Sequence, residues 1–140
     1  MTTSTLVDSN VLIDILGPAG LPARAWSLSA LRDGFESGPI VLSAIVWAEL
    51  SHPELPERRL LRAFEWLKPR REDFPFSAAS LAGTAHRLYR ARGGTRDRTL
   101  PDFLIGAHAS VAGHRLLTRD AGRYRAYFPD LEIIAPDMHS

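Results

Sequence analysis

Short apolar runs alternate along the chain with stretches in which apolar residues recur every three or four positions. That alternation predicts strands separated by helices, and so an α/β fold with a parallel sheet. Ser4–Val7 reads as a first strand. Val11, Leu12, Ile15 and Leu16 then fall at helical spacing until Gly17-Pro18, with Ser9 and Asn10 as expected caps. Leu21, Ala25, Leu28, Leu31 and Phe35 mark an amphipathic helix ending near Gly38. Pro39–Leu42 is a second strand, and Ser43 suits the cap of a helix over Ala44–Leu50. Leu60, Leu61, Phe64 and Leu67 line a further helix, stopped by Pro69. Asp73–Phe76 reads as an edge strand, because proline is confined to sheet edges. Ser77 is expected to cap a helix with Leu81, Ala85, Leu88 and Tyr89 facing inward. After the polar loop Arg92–Thr99, Pro101 suits the first turn of a helix that runs to Gly113 and packs through Leu104, Ile105, Ala109 and Ala112. Arg115–Thr118 is a fourth strand, Ala121–Tyr127 a short helix, Leu131–Ala135 a fifth strand and Pro136–Ser140 a frayed tail.

A length of 140 residues without an internal repeat or linker fits one domain spanning 1–140. The chain has no cysteine, which excludes disulfides and thiolate metal sites. No signal peptide and no apolar run near the ~20 residues of a membrane span are visible, so the expected location is the cytoplasm, away from membranes. A net charge of +1 does not announce nucleic acid. Lys68 is the only lysine beside sixteen arginines. Arginine grips phosphate through a planar fork, although genome bias produces the same excess.

The acids change the picture. Asp8 stands where the first strand ends, and Asp120 follows the fourth strand by two residues. Glu49 lies one to two turns into the helix after the second strand. Asp102 lies in the first turn of the helix before the fourth strand. That helix must run antiparallel to the strands, which brings its N-terminus to their carboxyl ends. If the first and fourth strands are neighbours, all four carboxylates meet at one rim, where open α/β sheets bind ligands. Two unit charges about 4 Å apart repel by roughly 4 kcal/mol at an effective dielectric near 20. Such a cluster needs a cation, and an oxygen-only donor set favours Mg²⁺, with Mn²⁺ as substitute, over Zn²⁺.

Val7-Asp8-Ser9-Asn10-Val11-Leu12, Ser43–Leu50 with Glu49, Asp102–Ala109 and Leu117-Thr118-Arg119-Asp120 together resemble the four motifs of PIN-domain nucleases. They look most like the compact VapC-type toxins of bacterial toxin–antitoxin pairs, over Leu6 to about Pro136. The resemblance implies a three-layer PIN-like fold with about five short parallel strands flanked by helices. It implies a metal-dependent endoribonuclease whose catalytic and metal-binding residues are Asp8, Glu49, Asp102 and Asp120. It also implies a homodimer and a VapB-like antitoxin that covers the site. The expected substrate is transfer or ribosomal RNA. Ser9 stands where the family often has threonine.

Each assignment has an ordinary counterpart. Asp8 also reads as a helix cap, Asp102 as a dipole-complementing acid, Asp120 as a turn former and Glu49 as a solvated helix residue. Asn10 and Thr118 are read as orienting carboxylates or water from behind, or as local caps. Arg92, Arg96 and Arg98 in the glycine-bearing loop, with Arg119 and Arg123 beside Asp120, are the RNA phosphate candidates; the loop also reads as simply solvated. His86, His108 and His114 are read as surface or packing residues, Trp26, Trp47 and Trp66 as core or dimer interface, and Asp14 as helix surface or a dimer contact. Competing readings are an RNA-processing PIN nuclease without an antitoxin and an inactive PIN-like domain that binds RNA or protein. A haloacid-dehalogenase-type phosphatase would need aspartate where Asn10 stands.

Overall fold

A computed structural model describes residues 3–94 and 100–136. The strands are β1 (Thr5–Val7), β2 (Ile40–Ser43), β3 (Arg70–Glu72), β4 (Arg115–Leu117) and β5 (Ile133–Ile134). The helices are α1 (Ser9–Leu16), α2 (Pro22–Ser37), α3 (Ala44–Leu50), α4 (Glu57–Phe64), α5 (Ser77–Ala91), α6 (Leu100–Ala112) and α7 (Gly122–Tyr127). All strand pairs are parallel, in the order β3-β2-β1-β4-β5. The direction of winding therefore reverses between β1 and β4, the point at whose carboxyl ends open α/β sheets bind ligands. No described helix is long and apolar enough to cross a membrane.

β1 is central and fully buried, as a short apolar strand covered on both faces must be. In a parallel ladder, paired residues face the same side. Thr5 pairs with Ile40 and Arg115 on one face. There α2 approaches closely because Gly34 has no side chain; a Cβ would lie 3.3 Å from Ile40 Cδ1. Leu6, Val41 and Leu116 lie on the other face. α6 covers that side, with His108 reaching Ser43 and Glu72, and α5 packs on α6.

Several elements differ from their sequence reading. The edge strand is Arg70–Glu72 and not Asp73–Phe76. An edge tolerates the charged residues, whereas Phe76 is 93% exposed in the loop. Asp8 caps α1 by accepting the Ser9 N–H at 2.8 Å, so the cap precedes the expected Ser9 and Asn10. Ser77 is the first residue of α5 and supplies no side-chain cap. The inward face of α2 carries Ser27, Leu31 and Gly34, while Leu21 and Phe35 are exposed. α5 turns Ala78, Ala82, Ala85 and Tyr89 inward and leaves Leu81 and Leu88 outward, because small residues allow close approach to α6. Leu61, Ala112 and Trp66 are also exposed.

α6 carries a second close approach. A Cβ on Gly106 would lie 2.5 Å from the Phe128 ring. Gly106→Ala is expected to displace that ring and lower unfolding free energy by about 1–3 kcal/mol in urea denaturation. A change within about 0.5 kcal/mol would show that Phe128 moves freely.

Candidate active site

Asp8 is buried and held by several hydrogen bonds. Its backbone N–H donates to Leu117 O at 2.9 Å, continuing the β1–β4 ladder by one row. Its carboxylate is almost fully buried. Oδ1 accepts the Ser9 N–H. Oδ2 accepts the hydroxyls of Thr118 at 2.8 Å and Tyr124 at 3.0 Å. Burial pushes the Asp8 carboxyl above its ordinary value, the hydrogen bonds from Thr118, Tyr124 and Ser9 pull it back, and the charge of Asp102 pushes it up again.

Thr118 is the hub behind Asp8. Its hydroxyl donates to Asp8 and accepts the Asn10 amide at 3.2 Å and the Asp120 N–H at 3.1 Å. One donor and two acceptor positions are all a threonine hydroxyl offers. Asn10 Oδ1 in turn accepts the Arg119 N–H at 3.2 Å. Asn10 and Thr118 thus tie the start of α1 to the end of β4, and Asp120 is held at the same edge through its backbone.

Glu49 and Asp102 arrive on helices. Ser43 caps α3 by accepting the Ile45 N–H at 3.2 Å, which aims the helix carrying Glu49. Asp102 is in the first turn of α6, as expected. The Glu49 carboxyl is also raised, first by loss of hydration and then by the charges of Asp8 and Asp102, against a hydrogen bond from the Ser9 side chain. Tyr124 is raised far above the usual phenol range by burial and by the charges of Asp8, Asp102 and Glu49. Those mutual effects place three predicted acids and one phenol in a single electrostatic neighbourhood. An oxygen-only donor set of this charge fits a hard divalent cation.

Two of the arginine candidates have partners among the described residues. Arg119 is engaged by Asp14, through Nε to Oδ2 and through Nη2 to Oδ1 at 3.0 Å, and the Ser27 hydroxyl holds Asp14 Oδ2 at 2.6 Å. Arg119 therefore braces α1 and α2 against the end of β4, and Asp14 is its counter-ion. Arg92 lies over the Tyr127 ring, 5.7 Å from its centre. Arg96, Arg98 and the Arg123 side chain lie outside the described residues. Tyr124 was not singled out in the sequence; the available signal was a phenol in the helix directly after the fourth acidic motif.

Residues 5–129 match the family model of the PIN domain. This chain belongs to the PIN domain family. PIN domains are nucleases as a family. Among solved structures, the chain is similar to one in VapBC2 from Rickettsia felis bound to a DNA fragment from their promoter. Identity there is 19% and TM-score 0.71, covering 96% of this chain and 100% of that one. It is similar to a chain of FitAcB from Neisseria gonorrhoeae at 25% identity and TM-score 0.65, covering 94% and 97%. A toxin–antitoxin complex from Klebsiella pneumoniae gives 22% identity and TM-score 0.67, with coverage of 94% and 97%. A comparison with curated proteins gave no match.

Thr118→Val keeps the shape of the hub and removes its hydroxyl. It leaves a buried Asp8 oxygen, an Asn10 amide and the Asp120 N–H short of a partner. The expected loss is about 1–3 kcal/mol of unfolding free energy in urea. Wild-type stability in this variant would show that the hub carries no strain-free bonds of consequence.

Proposed function

We propose that this PIN domain is a divalent-metal-dependent endoribonuclease acting as the toxin of a toxin–antitoxin pair. The observation that carries the reading is the electrostatic convergence of Asp8, Glu49 and Asp102 at the winding reversal between β1 and β4. Asp8, Glu49, Asp102 and Asp120 are the residues assigned to hold Mg²⁺, with Mn²⁺ as substitute. When bound, such an ion acidifies an attacking water and neutralises charge building on the phosphate. Ser9 holds Asp8 Oδ1 and Thr118 and Tyr124 hold Oδ2, and Asn10 keeps Thr118 in place. Arg92 remains available to phosphate on an exposed surface, with Arg96, Arg98 and Arg123 assigned to the same task from sequence alone.

The toxin reading draws on the near end-to-end correspondence with chains of VapBC, FitAB and another toxin–antitoxin complex. The partner is accordingly a VapB-like antitoxin that covers the acidic site. Leu81 and Leu88, one above the other on the outer face of α5, supply apolar surface for a homodimer. A single domain over 1–140 in the cytoplasm suits this role, and transfer or ribosomal RNA is the assigned substrate.

Asp8→Asn should abolish growth arrest and RNA cleavage while leaving the circular dichroism spectrum intact. Wild-type products should carry 5′-phosphate and 3′-hydroxyl ends; 2′,3′-cyclic phosphates would overturn the metal-assisted route. Co-expression of the neighbouring gene product should relieve arrest, and arrest without relief would leave a nuclease lacking an antitoxin.

A pH dependence follows as well. Asp8 and Glu49 hold protons above their ordinary values of 3.8 and 4.5. Mg²⁺ must displace those protons, so its affinity falls as pH drops and does so before the ordinary carboxylate range is reached. Without the ion, the same two groups bind more protons folded than unfolded, so their contribution to stability decreases as pH rises through the raised values. Calorimetric Mg²⁺ titrations from neutral to acidic pH test the sign; affinity unchanged down to 4.5 would contradict it.

A further inference from the structure

A second polar cluster lies on the α6-covered face of the sheet and uses none of the four acids. Glu72 Oε1 receives His114 Nε2 at 2.8 Å and His108 Nε2 at 3.1 Å. The three ligating atoms lie within 4.8 Å of one another. Both imidazoles are buried, while the Glu72 side chain is about one quarter exposed. We propose that Glu72, His108 and His114 form a transition-metal site of the zinc class, separate from the acidic rim.

The geometry supports this at three levels. Ligand atoms about 2.0–2.2 Å from a tetrahedral zinc stand roughly 3.3–3.6 Å apart, so the two short contacts need to open only slightly. The ring nitrogens turned away from Glu72 are each held by a serine: His108 Nδ1 lies 2.9 Å from Ser43 Oγ, and His114 Nδ1 lies 2.6 Å from Ser4 Oγ. Hydrogen-bonded distal nitrogens are the usual means of aiming imidazoles at a metal. The three residues also sit on rigid supports. Glu72 ends β3, and His108 is within α6. His114 follows a Schellman turn in which Gly113 has φ +76° and the His114 N–H bonds Ala109 O at 2.9 Å.

Chemistry separates this cluster from the nuclease site. Two imidazole nitrogens with one carboxylate suit Zn²⁺, Co²⁺ or Ni²⁺, whereas Mg²⁺ prefers oxygen alone. A groove of about 370 Å³ at the sheet edge is bordered by Ser43, Trp47, Arg71 and Glu72, so Glu72 is the member of the cluster that faces it. An ion there would join the edge strand to α6 and the start of β4. Through Ser43, which also caps α3, it would steady the helix bearing Glu49, and through α6 the helix bearing Asp102.

The test uses tag-free full-length protein titrated with Co²⁺ and Zn²⁺ alone. Expected in the wild type is the visible absorption of tetrahedral Co²⁺, saturating at one equivalent, and its displacement by Zn²⁺. Glu72→Gln and His114→Gln, each checked for fold by circular dichroism, should lose the band and weaken Zn²⁺ binding by roughly 10- to 100-fold or more. Asp8→Asn should keep both. Absence of the band and of Zn²⁺ binding in the wild type would overturn the proposal and leave a hydrogen-bonded network. Binding lost in Asp8→Asn and kept in the other two would overturn it by placing the ion at the acidic rim.

Discussion

The burial of one carboxylate sets the terms for the rest of this structure. Asp8 ends a central strand where water is scarce and another acid is near, so its charge is held only by what surrounds it. Three kinds of donor meet it: a helix N–H from Ser9, a hydroxyl from Thr118 and a phenol from Tyr124. They come from α1, the end of β4 and α7. A single ionisable side chain therefore fixes how three elements meet. The remaining unfavourable charge is the physical demand that a cation would satisfy.

The fold supplies the meeting place. Winding outward in both directions from β1 leaves the carboxyl ends of β1 and β4 side by side. α3 leaves β2 at the same edge under the Ser43 cap, and α6 begins there because a helix leading into a parallel strand runs against it. The ion pair of Asp14 with Arg119 locks this edge from outside. That cation is paired within the scaffold itself.

Much of this was legible in the chain. Apolar runs broken by capping residues gave the strand and helix order, and Asp8, Glu49 and Asp102 converge as strand and helix polarity require. What was hidden depended on distance across the sheet. The bonds from Tyr124 to Asp8, from Arg119 to Asp14 and from two histidines to Glu72 join residues 116, 105, 42 and 36 positions apart. No local periodicity encodes such pairs. The edge strand was misplaced because Phe74 and Phe76 outweighed a charged triplet that an exposed ladder accepts. On α2 and α5, Leu31, Ala85 and Tyr89 lie inward as expected, whereas Leu21, Phe35, Leu81 and Leu88 lie outward, with Gly34, Ala78 and Ala82 taking the closest approaches.

Anomalous diffraction from crystals soaked in Mn²⁺ reaches the central claim most directly. A manganese peak within bonding distance of the Asp8, Glu49 and Asp102 carboxylates is the predicted result. Saturating Mn²⁺ with no peak at that edge, or a peak held by other side chains alone, would contradict it.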